Sequence, residues 1–310
     1  MKTGENKQAK TFSIYPYIPG LTIICCLVFL SADVRAQLPV SQAWLLEISP
    51  AENSDQWQLA EMLFLSSFND EGYNNQPFFA DKNTLYLSSG KDTVTNLYSL
   101  SLHTEELKRI TGTRESEFSP RYNARSTALN FVRLEKDGTQ RVWNLPHDRS
   151  NYGSPITPLT LRVGYYSWLD SNTLALFVIR EDGNELIEWN VVTGKEKSIA
   201  QNPGRSMESD ENGVLYYTVE GRRDARHIYS YNFRTGNSER LVRMIPGGSQ
   251  DFCIGPDNTL FTSADGMLMA FRPGKDSYWK PQFALNIPGA TEITRIASDK
   301  NGQLCIITKP

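Results

Sequence analysis

The sequence is poor in the residues that most often build metal sites and nucleophile sites. Its 310 residues include three histidines and four cysteines, and none of them is grouped with the spacing of a zinc site. The Gly-x-Ser-x-Gly motif of many serine hydrolases is missing, because the segment Gly204-Arg205-Ser206-Met207-Glu208 ends in glutamate. These absences favour a noncatalytic protein, and the sequence offers no candidate catalytic residue.

The chain also lacks a surplus of positive charge. It has 32 lysines and arginines against 35 aspartates and glutamates, which gives a formal net charge of −3. Nucleic-acid-binding proteins neutralise phosphates with a clustered basic surplus, so we expect no nucleic-acid partner. The hydrophobic fraction of 39% and the charged fraction of 22% are typical of a globular protein.

Long hydrophobic runs are scarce. Leu21–Leu30 is a predominantly apolar run of ten residues, whereas a membrane-spanning helix needs about 20. Lysines precede the run, and Val34-Arg35-Ala36 follows it with the residue pattern of a signal-peptidase site. We predict a signal peptide over residues 1–36, a single propeller domain over residues 37–310 and no transmembrane span after cleavage. The protein is then periplasmic or secreted, and an uncleaved anchor is the alternative interpretation.

Helical periodicity is hard to find after residue 36, and short alternating runs such as Thr84–Ser88 and Val214–Thr218 take its place. Alternation at this length predicts half-buried strands and an all-β fold. These runs recur at spacings of 44, 45, 41, 45 and 44 residues, counted from the leucine near the start of each: Leu85, Leu129, Leu174, Leu215, Leu260 and Leu304. A period of about 40–50 residues predicts a six-bladed β-propeller with four strands per unit.

Each repeat unit has the same order of segments. An apolar first strand such as Gln76–Ala80 leads into a polar turn such as Asp81-Lys82-Asn83, and the leucine-containing second strand follows. An Asp-Gly pair such as Asp137-Gly138 then tolerates the positive φ angles of a tight hairpin. An aromatic third strand such as Arg141–Leu145 and a short fourth strand such as Leu107–Ile110 complete the pattern.

The last unit has only two of its four strands, since the sequence stops soon after the strand Leu304–Thr308. Ala43–Ile48 has the pattern of a third strand, and Gln58–Phe64 has that of a fourth. We therefore predict that these N-terminal strands close the last blade, which removes an open sheet edge that would invite aggregation. Cys253 and Cys305 fall on strands of different units, so we expect buried thiols rather than a disulfide.

Several segments resemble the repeat of TolB-like propellers. They are Gln76–Phe79 followed by Thr84–Ser89, the turn Gly255–Asn258, Phe118-Ser119-Pro120 and Gly138–Trp143. The resemblance covers the chain from about Asn69 onward and is greatest to exported members of unassigned function. It implies a six-bladed propeller that serves as a binding platform at the cell envelope. It does not select a ligand, because propellers host many unrelated activities.

Polar residues gather where the first strand of each unit begins, and in a propeller this strand lines the central channel. Aligning the units places one set of side chains at a channel mouth: Asn75, Gln76, Glu115, Glu117, Tyr165, Arg205, Ser206, Gln250, Asp251 and Arg295. Arginines match carboxylates bidentately. We hypothesise that this mouth binds an envelope protein, a small ligand or a glycan. The alternative is that its charges pair with one another and with channel water.

Two other functions stay open. A metal-dependent, lactonase-like hydrolase would need several oxygen ligands around the channel. Residues of the predicted mouth offer some of them: Asn75, Glu117, Gln250 and Asp251. Arg205 and Arg295 argue against a bound cation, so we expect no cofactor and keep calcium as the alternative. A carbohydrate-binding propeller would instead stack sugar rings on exposed aromatic side chains, for which the candidates are Tyr73, Tyr165 and Tyr166.

Overall fold

A computed structural model describes residues 38–310, apart from Asn53, residues 124–126 and the side chain of Asp224. The predicted signal peptide over residues 1–36 lies outside the described residues. Within the described part of the chain, the only helical segments are three short 3₁₀ turns. No helix there is long and apolar enough to cross a bilayer.

The described residues form 24 strands in six antiparallel sheets of four, which we number as blades 1 to 6. Blade 1 contains β3 (Tyr73–Asp81), β4 (Thr84–Gly90), β5 (Asn96–Ser101) and β6 (Leu107–Arg109), and blade 2 contains β7 (Ser116–Asn123), β8 (Ala128–Leu134), β9 (Gln140–Pro146) and β10 (Ser154–Pro155). Blade 3 contains β11 (Val163–Trp168), β12 (Thr173–Arg180), β13 (Gly183–Asn190) and β14 (Glu196–Gln201), and blade 4 contains β15 (Pro203–Ser209), β16 (Val214–Glu220), β17 (Arg226–Asn232) and β18 (Asn237–Arg243). Blade 5 contains β19 (Cys253–Ile254), β20 (Leu260–Ala264), β21 (Met267–Phe271) and β22 (Lys280–Ala284), and blade 6 contains β23 (Glu292–Ser298), β24 (Gln303–Lys309), β1 (Gln42–Pro50) and β2 (Trp57–Phe64).

Blade 6 joins the two ends of the described chain. Its strand order is β2-β1-β24-β23, and β1 pairs antiparallel with β24 so that Ala43 faces Ile307 and Leu46 faces Leu304. The prediction of a six-bladed propeller closed by N-terminal strands is therefore confirmed. The closure leaves no open edge at β24, whose residues from Leu304 to Thr308 lie between a strand on each side.

The hydrophobic core lies between neighbouring blades. Alternation along each strand sends every second side chain to the same face of the sheet, and these faces meet in six clusters around the ring. The cluster between blades 1 and 2, for example, contains Leu97, Leu129 and Phe131, all nearly excluded from solvent. Full burial of one such side chain stabilises the fold by about 1.5–3 kcal/mol.

The acidic turns between first and second strands are explained by their backbone hydrogen bonds. Asp210 Oδ1 accepts the N–H groups of Asn212 and Val214 at 2.9 and 2.8 Å. Asp299 Oδ1 does the same for Asn301 and Gln303 at 2.7 and 2.9 Å. Aspartate favours such turns because its side chain can mimic a turn hydrogen bond.

The two cysteines of the propeller are free thiols. Cys253 and Cys305 are both buried and unpaired, as the sequence predicts. Burial raises the pKa of each thiol, because an apolar surrounding disfavours the thiolate. Neither side chain is therefore suited to act as a nucleophile.

Candidate functional site

Five of the six innermost strands contain a β-bulge that affects which side chains enter the channel. The strand pairing shifts register between Asn75 and Phe78 in blade 1 and between Phe118 and Arg121 in blade 2. Similar shifts occur in β11, β15 and β23. Pro77 and Pro120 lie within the first two bulges, where a residue without an N–H is tolerated. The bulge changes side-chain parity along each strand and re-aims the residues that follow it.

Two arginines from different blades converge on one carboxylate at the predicted mouth. Arg205 of blade 4 donates from Nε to Asp251 Oδ1 at 2.9 Å, and Arg295 of blade 6 donates from a terminal nitrogen to Oδ2 at 3.2 Å. Arg205 also donates to the carbonyl oxygen of Thr294. The Asp251 side chain is only 7% exposed, whereas that of Arg205 is 30% exposed. The arrangement is a partly buried cluster with one more guanidinium than carboxylate.

Arg295 also reaches across the channel. Its guanidinium carbon lies 5.3 Å from the ring centroid of Tyr165, and it donates to the Tyr165 hydroxyl at 3.3 Å. Burial alone would lower the pKa of Arg295, but Asp251 and Tyr165 outweigh it and raise that pKa. Burial also raises the pKa of the neighbouring Tyr73 to about 12, against the opposing effect of Arg295. Arg295 is therefore held in its charged form.

Gln76 and Ser206 connect adjacent blades beside this cluster. Gln76 Oε1 accepts the Ser119 N–H at 2.8 Å, and Ser206 Oγ accepts the Phe252 N–H at 3.2 Å. A cavity of about 60 Å³ lies at this point, which we call the entry cavity. The structure brings six predicted residues to its wall: Gln76, Tyr165, Arg205, Ser206, Asp251 and Arg295.

The two predicted glutamates lie elsewhere. Glu117 has no solvent exposure and its carboxylate accepts hydrogen bonds from Thr111 and Thr113 at 2.9 and 2.5 Å. Arg133 lies 3.3 Å from the same carboxylate and 3.7 Å from Glu115. Burial raises the pKa of Glu117 more than these partners lower it. Glu117 points to the interface between blades 1 and 2, because its two threonine partners lie on the segment that connects β6 to β7.

Asn75 and Gln250 also lie outside the wall of the entry cavity. Asn75 Oδ1 accepts the N–H of Gln76 at 2.8 Å, at the start of the bulge in β3. Gln250 is exposed to solvent. The predicted mouth is thus made of fewer residues than the aligned units suggest.

An ion pair that sequence alignment of the units missed lies deeper in the channel. Arg121 of blade 2 binds Glu208 of blade 4 bidentately, at 3.1 and 3.0 Å, and also donates to the carbonyl oxygen of Met207 at 3.1 Å. Each residue follows the bulge of its own innermost strand. The bulge is therefore the signal that could have revealed them, since a residue beyond it returns to the channel side.

The residues named for a metal site and for a sugar site lie in separate places: Glu117 is buried between blades 1 and 2, and Asp251 and Tyr165 line the entry cavity. Within the described residues, no three acidic, histidine or cysteine side chains come together as a possible metal site. Tyr73 and Tyr166 are only 9% and 1% exposed, and the Tyr166 hydroxyl donates to the Ser119 carbonyl oxygen at 3.1 Å. Neither ring is therefore available to stack on a sugar.

The fold is similar to those of several solved propellers. The structure of TolB from Acinetobacter baumannii matches 79% of this chain, at 11% identity and a TM-score of 0.59. The match covers 66% of the TolB chain, which is slightly less than two thirds of its length. The nidogen/laminin complex contains a chain that matches 83% of this one over 97% of its length, at 12% identity and a TM-score of 0.61. Oligogalacturonate lyase in complex with manganese matches 82% of this chain over 83% of its length, at 14% identity and a TM-score of 0.54.

These similarities define a class of protein: the chain has the six-bladed, TolB-like propeller fold, which confirms the resemblance seen in the sequence. At such low identities they show the fold alone, and the family is unassigned. No protein-family model matches the sequence, and no curated protein sequence matches it. The neighbours include both binding proteins and enzymes, so the function must be argued from the site.

Proposed function

We propose that the protein is a noncatalytic, exported binding module whose entry cavity receives a carboxylate of a partner protein at the cell envelope. The observation that carries the proposal is the convergence of Arg205 and Arg295 on the single carboxylate of Asp251. One positive charge in this cluster has no acidic partner there. Export rests on the predicted signal peptide.

The two arginines have hydrogen-bond donors to spare. Each guanidinium carries five N–H groups. Arg205 uses two of them, on Asp251 and Thr294, and Arg295 uses two, on Asp251 and Tyr165. The remaining donors suit an incoming carboxylate, because charge-assisted hydrogen bonds from guanidinium are among the strongest in proteins.

The wall of the entry cavity favours a small acidic group presented by a protein. The cavity has a volume of about 60 Å³, and its wall includes the guanidinium groups of Arg205 and Arg295. A single carboxylate suits such a site. A neighbouring fold occurs in the nidogen/laminin complex, where the propeller chain is part of a protein assembly.

The proposal can be tested by capture from intact envelopes. Tagged protein would be cross-linked in the envelope and its partners identified by mass spectrometry, beside Arg205→Gln and the matched control Arg234→Gln. Arg234 is exposed on the turn between β17 and β18 and is not part of the wall of the entry cavity. We expect one partner to be recovered with the unmodified chain and with Arg234→Gln, and to be lost with Arg205→Gln.

Thermal denaturation must show that Arg205→Gln remains folded. Recovery of the same partners with a folded Arg205→Gln variant would contradict the proposal, as would the absence of any enriched protein. Glu117 is unsuitable for this test, because its burial beside Arg133 makes any substitution a test of folding.

A further inference from the structure

A second and larger cavity lies at the other end of the innermost strands. It has a volume of about 320 Å³, and we call it the far cavity. Arg121 and Glu208 line both this cavity and the entry cavity, so their ion pair separates the two. The size of the far cavity lies at the lower end of ordinary small-molecule sites.

One side of the far cavity is aromatic. Phe79, Tyr122 and Trp168 line it from blades 1, 2 and 3. Trp168 Nε1 donates to Asn130 Oδ1 at 3.0 Å, which holds the indole ring in place. Tyr122 packs against Tyr86, with ring centroids 6.4 Å apart. Phe79 is 7% exposed and packs in the core between blades 6 and 1, so the rings of Trp168 and Tyr122 supply the apolar surface on this side.

The other side is polar and comes from blades 4 and 6. Lys300 Nζ donates to the Ser209 carbonyl oxygen at 3.3 Å and has no ion-pair partner among the described residues. Asp210 and Asp299 each use Oδ1 for their own turn, which leaves Oδ2 as an acceptor. Donors and acceptors therefore stand together opposite the aromatic side.

The charges around the far cavity select against anions. The carboxylates of Asp81, Asp210 and Asp299 outnumber the ammonium group of Lys300, while Arg121 and Glu208 neutralise each other. A neutral molecule with many hydroxyl groups avoids the repulsion that an anion would meet, because each hydroxyl donates to a carboxylate oxygen or accepts from the ammonium group.

From this division into an aromatic and a polar side, we infer that the far cavity binds a neutral sugar. The sugar ring lies with its C–H face on Trp168 and Tyr122, and its hydroxyls bond to Lys300 and to the free oxygens of Asp210 and Asp299. This site is distinct from the entry cavity, so its existence does not depend on the proposed protein partner.

Saturation-transfer NMR on the full chain tests this inference. The probes are glucose, galactose, N-acetylglucosamine and maltose as neutral sugars, glucuronate as an anion and glucosamine as a cation. We expect transfer to the ring protons of at least one neutral sugar, and weaker transfer to glucuronate, which the three carboxylates repel.

Two variants connect that signal to the far cavity. Lys300→Met removes the ammonium group and should weaken sugar binding about tenfold. This change corresponds to a loss of about 1.4 kcal/mol of binding free energy. The control Lys275→Met changes an exposed lysine outside the cavity and should bind as before. The Lys300 side chain makes a single long hydrogen bond, so its replacement should leave the melting temperature unchanged. No transfer to any neutral sugar, stronger transfer to glucuronate or to glucosamine than to every neutral sugar, or unchanged binding by Lys300→Met would overturn the inference.

Discussion

At the residue scale, charged side chains in the channel are held by partners from distant parts of the chain. Arg121 and Glu208 are 87 residues apart, and Arg205 and Asp251 are 46 residues apart. Each pair joins two different blades. Partly buried pairs of this kind add little net stability compared with apolar replacements, but loss of one partner leaves the other charge uncompensated.

The Arg121–Glu208 pair should therefore behave as a coupled unit. We expect Arg121→Met to lower the free energy of unfolding by about 2 kcal/mol, because Glu208 is left without its bidentate partner. The double variant Arg121→Met/Glu208→Met should recover most of that loss. Urea denaturation of both single variants and the double variant gives the coupling energy. Additive losses in the double variant would show that the two side chains act independently.

At the element scale, period-2 alternation and turn chemistry account for most strands. The predicted second strands all occur, and each begins within one residue of the predicted leucine. It is harder to predict which side chains of an innermost strand face the channel, because a bulge interrupts the alternation along the strand. Glu117 lies before the bulge of β7 and faces the interface with blade 1, whereas Arg121 lies beyond the bulge and faces the channel. Counting alternate residues without the bulge selects the wrong side chains.

Strand β1 is the element on which ring closure depends, and two leucines of blade 6 test it. Leu46 on β1 is fully buried in the core between blades 5 and 6, whereas Leu63 on the neighbouring β2 is 44% exposed. Leu46→Ala should cost about 3 kcal/mol through lost burial and a residual cavity. The control Leu63→Ala should cost less than about 0.5 kcal/mol. Urea denaturation would measure both, and equal losses would contradict the assigned core position of β1.

At the scale of the whole molecule, six sheets become a ring only when blade 6 is complete. Without β1 and β2, the sheet containing β23 and β24 would have two strands, and two-stranded sheets are marginal in water. The edge of β24 would also be open to pairing with other chains. The N-terminal strands therefore stabilise the ring as a whole.

Removal of those strands should abolish soluble folding. We expect a chain beginning at Leu65 to aggregate, whereas a chain beginning at Gln37 should be soluble and should melt in one cooperative transition. Size-exclusion chromatography and thermal denaturation would distinguish the two. A soluble, cooperatively melting protein that begins at Leu65 would refute the role of the closure.

The sequence by itself determined the all-β class, the six repeats and the closing strands, because alternation and Asp-Gly turns are local properties of the chain. It also placed Arg205, Asp251 and Arg295 near one mouth. Only the tertiary structure decided that Glu117 lies between blades, that Arg121 and Glu208 divide the channel, and that the larger cavity lies at the far end. Those features depend on bulges and on contacts between blades, which no local pattern encodes.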